Sequence, residues 1–174
     1  MRYLFLLLAL FGVQGAMAQE RVQLSKKESR FVYALFPQEA IPEKLKIQVQ
    51  DTAGWEVIRA GDLIYQVRQQ DQLYGYLLST RAKGRYDYFD YLLAFDPDFS
   101  VLGLSITTYR SSHGAAICQN RWLSQFTGYS GEELRLGKEI DAVSGATISA
   151  EALVRDLKRC HQFMIRLKEM DLIH

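Results

Sequence analysis

The stretch 141–153 reads DAVSGATISAEAL, an acid and a Ser-Gly-Ala-Thr tetrad followed by the start of a helical pattern. Apolar side chains then recur at intervals of four and three residues: Leu153, Leu157, Cys160, Met164 and Leu167. This spacing predicts the buried stripe of an amphipathic helix. We expect the helix to begin near Ser149 or Ala150 and to end near Met170.

The predicted start of this helix favours an anion. We expect Ser149 to be the N-cap and Glu151 to place an acid in the first turn, beside the free backbone N–H groups of the helix end. Gly145 permits a positive φ, Ala146 adds no bulk and Thr147 offers a hydroxyl. The spacing of these residues fits a phosphate group that is either held non-covalently or esterified. It also fits an ordinary capped helix after a glycine turn.

Short apolar runs separated by turn residues precede this helix and predict strands: Trp55–Ala60, Leu63–Val67, Leu73–Thr80, Tyr88–Phe95 and Val101–Arg110. Consecutive strands with short turns form an antiparallel meander. A capping box at residues 25–28 predicts a first helix that stops at Pro37, and a short helix is expected over Gln119–Phe126. The fold class is therefore α+β, with an antiparallel sheet packed against helices and a long C-terminal helix.

The string Asp-x-x-Ser-Gly-Ala-Thr at residues 141–147 resembles the flavinylation motif of the FMN-binding domain family. That family includes the flavin subunits of sodium-translocating NADH:quinone reductase and of the Rnf electron-transport complex. The resemblance implies that a flavin transferase joins FMN through its phosphate to the Thr147 hydroxyl. It also implies that four further motif residues serve as recognition residues: Asp141, Ser144, Gly145 and Ala146.

The resemblance covers about residues 74–157. Residues 101–131, VLGLSITTYRSSHGAAICQNRWLSQFTGYSG, are similar to the family's strand, loop and short helix. It implies four further cofactor-binding residues: Ser112, His113, Gly114 and Trp122. The acid usual in the loop is replaced by Ser111, so no carboxylate role near the flavin is implied. From the residues alone, His113 could equally be a surface histidine and Trp122 a core aromatic.

The first residues, MRYLFLLLALFGVQGAMAQE, have the pattern of a secretory signal peptide. Arg2 precedes a short apolar run, and Ala16-Met17-Ala18 forms a small-x-small cleavage site. We therefore expect a signal peptide over residues 1–18, and the resemblance implies a single FMN-binding domain over residues 19–174. The mature protein is expected to be periplasmic or otherwise exported, and soluble.

The composition restricts the classes of ligand and partner that the protein could bind. The chain of 174 residues has a formal net charge of +1 and no basic stripe, which argues against nucleic acid. Three histidines and two cysteines offer no metal-ligand spacing. Cys160 falls on the apolar stripe, so it is either a buried thiol or the partner of Cys118 in a disulfide.

These observations lead to an exported electron carrier with FMN bound covalently to Thr147, rather than a stand-alone enzyme. The chain lacks the GxGxxG signature of a nicotinamide domain, so we expect electrons to come from and go to membrane or exported redox partner proteins. Two alternatives stay open. One is a small exported flavoenzyme that reduces a soluble acceptor, and the other is a flavin-free binding or structural module of the same fold.

Overall fold

A computed structural model describes residues 23–45, 59 and 61–173. Within these residues, five strands form one antiparallel sheet in sequential order, β1 to β5. The main elements are α1 (Lys26–Leu35), β1 (Ile41–Lys44), β2 (Leu63–Gln69), β3 (Gln72–Lys83), β4 (Tyr88–Phe95), β5 (Val101–Tyr109), α2 (Asn120–Leu123) and α3 (Thr147–Glu169). The meander and the long final helix confirm the predicted α+β class.

The sheet is buried on both faces because apolar residues occupy both sides of its central strands. Along β3, Tyr76 and Leu78 belong to the larger core, which contains the apolar stripe of α3. Leu77, between them, belongs to a second core on the side of the sheet that α1 covers, which contains Val32 and Phe36. The alternation follows from the two-residue period of a strand. One helix therefore covers each face.

Helix α1 starts and stops where the sequence predicts. The Ser25 hydroxyl accepts a hydrogen bond from the Glu28 backbone N–H at 3.3 Å, and the Glu28 carboxylate accepts one from the Ser25 N–H at 2.8 Å. This reciprocal pair is a capping box, which satisfies two N–H groups at the helix start. The helix ends at Leu35, two residues before Pro37.

Two parts of the secondary structure differ from the sequence prediction. Strand β1 was not predicted, because it is short and contains Pro42, which sheets tolerate at an edge. The predicted short helix consists of α2 with a 3₁₀ turn on each side, Ala115–Cys118 and Ser124–Phe126. The predicted strand at Trp55–Ala60 lies outside the described residues except for Arg59, which is not in a strand, and the predicted signal peptide also lies outside them.

A buried polar network ties α3 to the sheet. The Arg159 guanidinium donates to the carboxylates of Asp62, at 2.8 Å, and Asp156, at 2.7 Å. The Tyr91 hydroxyl donates to Asp156 at 2.8 Å and lies 3.4 Å from the Cys160 sulfur. Both carboxylates are 3 % exposed at the side chain, so their charge is compensated inside the protein rather than by water.

Both cysteines are free thiols, so the disulfide alternative is not formed. Cys160 is fully buried on the apolar stripe, and burial raises the pKa of its thiol to about 12. Cys118 is half-buried and packs against the same core. Cys160 is therefore a core residue, the simpler of the two interpretations of the sequence.

The described residues contain neither a helix suited to crossing a membrane nor a metal-binding cluster. Within residues 23–45, 59 and 61–173, no helix combines the length and apolarity needed to cross a membrane. In the same part of the chain, no group of three or more histidine, cysteine, aspartate or glutamate side chains is placed to hold a metal ion.

Candidate functional site

Helix α3 begins at Thr147, and its first turn leaves backbone donors free. The N-cap is Ala146, which provides no side-chain hydrogen bond. The first intrahelical bond runs from the Ala150 N–H to the Ala146 carbonyl at 2.9 Å. The N–H groups of the three residues between them have no partner within the helix, as at any helix N-terminus. The Thr147 side chain is exposed beside these donors.

Two details predicted for this helix start are wrong. Ser149 is not the N-cap: it lies in the first turn, is 4 % exposed, and its hydroxyl is 3.0 Å from the Tyr109 hydroxyl. Ser149 is the third residue of the helix, so it lies past the position from which a side chain caps the first N–H groups. Because the helix starts two to three residues earlier than predicted, Glu151 falls beyond the first turn, which contains no acid.

The tetrad forms a turn that presents Thr147 outward. Gly145 has φ +73°, a conformation that favours glycine, and a Cβ built there would meet no atom within 4 Å. The Ala146 N–H donates to the Val143 carbonyl at 3.0 Å, and Ala146 is buried. Ser144 and Gly145 are exposed. Ala146 therefore anchors the turn, and open space surrounds the glycine beside the Thr147 hydroxyl.

Asp141 is held through its backbone by the short helix. The Trp122 indole N–H donates to the Asp141 carbonyl at 2.8 Å, and the Asp141 N–H donates to the Gln125 side-chain oxygen at 2.9 Å. Trp122 is 6 % exposed and packs edge-on against Phe126 at 5.1 Å between ring centroids. Trp122 is thus a core aromatic that positions the motif, while the Asp141 side chain remains exposed.

The loop after β5 lies beside the start of α3. The Tyr109 hydroxyl donates to the His113 carbonyl at 2.7 Å and also contacts Ser149. The Ser112 hydroxyl is 3.0 Å from His113 Nδ1, and both side chains are exposed. The Tyr86 ring, from the turn between β3 and β4, is 5.9 Å from the His113 ring. Two loops therefore converge at the N-terminus of α3.

Two glycines allow this convergence. A Cβ on Gly84 would lie 2.9 Å from the Ser149 hydroxyl, and a Cβ on Gly114 would lie 2.5 Å from the Tyr109 hydroxyl. Gly114 also has φ +87°. The resemblance identified Gly114, but Gly84, Tyr109 and the structural role of Ser149 were missed. No local pattern marks these residues, since their contacts join segments that are far apart in sequence.

Exposed apolar and aromatic side chains lie near the N-terminus of α3. Ile148, the next residue, is 46 % exposed, and Tyr86 is 63 % exposed. The Arg85 guanidinium lies over the Tyr86 ring, 5.2 Å from its centroid. The site therefore combines a free hydroxyl, unpaired helix N–H groups and exposed flat side chains, which suits a ligand with a phosphate at one end and a ring at the other.

Comparison with known proteins identifies the fold. No family model matches the chain, and no curated protein sequence matches it. Among solved structures the chain is similar to the crystal structure of Shewanella oneidensis NqrC, with 18 % sequence identity and a TM-score of 0.50. The match covers 86 % of this chain and 78 % of that chain. The shared fold confirms the fold that the motif resemblance implies.

Proposed function

We propose that this protein is a flavoprotein of electron transfer in which FMN is esterified through its phosphate to Thr147. The observation that carries the proposal is the exposed Thr147 hydroxyl at the start of a 23-residue helix whose cap uses no side chain. That hydroxyl ends the Asp-x-x-Ser-Gly-Ala-Thr motif. The fold shared with NqrC supports the same function.

The residues present fit FMN. The phosphodiester at Thr147 would keep one negative charge, which the N-terminal N–H groups and the dipole of α3 stabilise. Space around Gly145 leaves room for the phosphate and the sugar-alcohol chain. Exposed side chains of Tyr86, His113 and Ile148 would border the ring. Ser112, Ser144 and Gly114 would shape the loops on either side, and Trp122 would support Asp141 from the core.

The structure favours Thr147 over the neighbouring hydroxyls. Ser149 is buried and bonded to Tyr109, so its oxygen is not accessible to a flavin transferase. Ser144 is exposed but lies in the turn three residues before the first helical residue. In attachment, the Thr147 oxygen gains a bond to phosphorus and loses its proton. The donor has to be a flavin nucleotide with its phosphate in an anhydride, whose leaving group departs as the ester forms.

Bound FMN would supply the redox chemistry, and the chain would set its orientation and exposure. We further propose that the protein works outside the cytoplasm after removal of residues 1–18, where a covalent bond prevents loss of the cofactor. Its partners would be a flavin transferase during maturation and membrane or exported redox proteins during electron transfer.

Co-expression with a flavin transferase tests this function. Denatured wild-type protein should fluoresce on a gel, Thr147→Ala should not, and Thr147→Ser should be labelled partially. Ser144→Ala should retain most labelling, because it removes a recognition contact but no bond. Thr127→Ala, at an exposed threonine outside the motif, is the matched control and should be labelled fully.

Protein made without the transferase should be colourless, and this control separates attachment from adventitious flavin. Wild-type protein that stays colourless with an active transferase would contradict the proposal. The flavin-free binding or structural module would then be the better hypothesis.

A further inference from the structure

A basic groove of about 750 Å³ runs between α1, β5 and α2, on a part of the molecule that the proposed flavin site does not use. Three cations line it, and they are all exposed on α1: Lys26, Lys27 and Arg30. Among the described residues that line the groove there is no aspartate or glutamate. The groove therefore presents one sign of charge, although the whole chain is nearly neutral.

The groove also has apolar walls. Phe31 and Leu35 of α1 are only partly buried, and Leu102 of β5 is partly buried opposite them. Gly103 brings the strand close to the helix, since a Cβ built there would lie 3.4 Å from the Leu35 side chain. A segment that enters the groove would thus cover apolar side chains as well as meet the cations.

Strand β5 is the last strand of the sheet, and no described strand pairs with its outer edge. The Lys27 ammonium donates a hydrogen bond to the Ile106 carbonyl, so the backbone groups of Ile106 face outward, away from β4. Backbone groups of alternate residues in a strand face the same way. The N–H and C=O of Leu104 therefore also face away from β4, into the groove between α1 and α2. At the start of the strand, Val101 already bonds the 128–129 segment.

We propose that this groove binds an extended, acidic segment of a partner protein, which adds to β5 as a further strand. The outward groups of Leu104 supply the main-chain pairing of strand addition. The cations of α1 attract the carboxylates of the segment. This attraction sets the orientation of the bound segment and raises its association rate. A second copy of this chain is disfavoured because a symmetric pair would bring two sets of three cations together.

The location suits a redox partner. Ser105 of β5 lines the groove. Tyr109, which contacts Ser149 at the proposed flavin site, lies four residues further along the same strand, about 13 Å away. A partner bound at the edge of β5 would thus be held beside the proposed flavin. Binding itself does not require flavin, so the groove can be tested in protein that lacks it.

The test uses flavin-free full-length protein and a fluorescein-labelled peptide of alternating glutamate and valine, about seven residues long. The peptide should bind, its affinity should fall with salt, and it should shift the Leu104 amide signal in NMR spectra. Lys26→Glu combined with Arg30→Glu should weaken binding about tenfold or more, since two attractive pairs become repulsive. Lys44→Glu combined with Lys138→Glu makes the same charge change on exposed lysines outside the groove and should leave affinity unchanged.

A peptide with the same side chains but an N-methylated backbone should not bind, because it cannot pair with the edge. Equal affinity for both peptides, or equal affinity of both charge variants, would overturn the proposal. So would concentration-dependent dimerisation abolished by the groove variant, or binding to vesicles of anionic phospholipid without binding to the peptide. Thr147→Ala should bind the peptide with the same affinity as wild type. A loss of peptide binding is therefore distinguishable from a loss of flavin attachment.

Discussion

The Tyr109 hydroxyl at the end of β5 lies 3.0 Å from the Ser149 hydroxyl in the first turn of α3. The same Tyr109 hydroxyl donates to the His113 carbonyl at 2.7 Å. One side chain thus connects the edge strand, the loop after it and the helix that carries Thr147. This connection holds Ser149 buried in the first turn of α3, while Thr147, two residues earlier, is exposed.

Tyr109→Phe should weaken the site without removing the flavin-accepting group. The variant loses the bonds to His113 and leaves the buried Ser149 hydroxyl without this partner, so the free energy of unfolding should fall by about 1–3 kcal/mol. Flavin attachment should be slower but should still reach Thr147. Chemical denaturation and a time course of labelling by a flavin transferase measure the two effects. Tyr33→Phe, at a tyrosine that is 51 % exposed, is the control. Identical labelling rates would show that the connection is not needed.

Gly114→Ala and Gly128→Ala separate backbone strain from steric overlap. The two glycines have φ of +87° and +88°, so alanine costs about 1–2 kcal/mol at either position. Only at Gly114 would the new Cβ overlap the Tyr109 hydroxyl, at 2.5 Å, whereas at Gly128 it would meet no atom within 4 Å. Gly114→Ala should therefore lose more stability and slow flavin attachment. Urea unfolding of the pair tests this, and equal losses would count against the close packing.

The sequence predicts most of the fold, because strand alternation, turn residues and the capping box at Ser25 are local signals. It also locates the motif, since Thr147 and Gly145 lie only two positions apart in the chain. It does not predict that Ser149 bonds Tyr109, because the two residues are 40 positions apart and meet only after the sheet and α3 pack. The predicted helix start is wrong for the same reason. A serine directly before an apolar stripe has the sequence pattern of an N-cap, and only the tertiary structure shows that the Ser149 hydroxyl contacts Tyr109.

Asp156→Ala should destabilise the fold severely while leaving the chemistry of Thr147 intact. It removes the buried carboxylate that both Tyr91 and Arg159 contact, a loss of about 3–5 kcal/mol for a buried ion pair. Asp90→Ala breaks the partly exposed pair with Arg110, which water screens, and should cost much less stability than Asp156→Ala. Urea unfolding curves compare the two variants. Similar losses would show that burial does not control the network.

His161 should make stability depend on pH. It is 7 % exposed and packs against the Tyr129 ring, and burial lowers the pKa of its imidazole, although the Glu132 carboxylate opposes this shift. The unfolded chain, with a histidine pKa of about 6.5, therefore binds the proton more readily than the folded chain. The His161 contribution is full above about pH 6.5 and is lost as the pH falls below it.

His161→Gln should consequently show a smaller loss of stability between about pH 7.5 and about pH 5 than wild type. His113→Gln, at an exposed histidine, is the control and should follow the wild-type profile. Urea midpoints at several pH values provide the comparison. A wild-type slope retained in His161→Gln would assign the acid sensitivity to other groups.

Covalent attachment of FMN at Thr147 can be measured directly by peptide mass spectrometry. After co-expression with a flavin transferase, trypsin should release residues 139–155, a peptide that contains Ser144, Thr147 and Ser149. We predict a mass increase equal to FMN minus water on this peptide, with fragment ions that place it on Thr147. An unmodified peptide from protein exposed to an active transferase, or fragment ions that place the flavin on Ser144 or Ser149, would contradict the central claim.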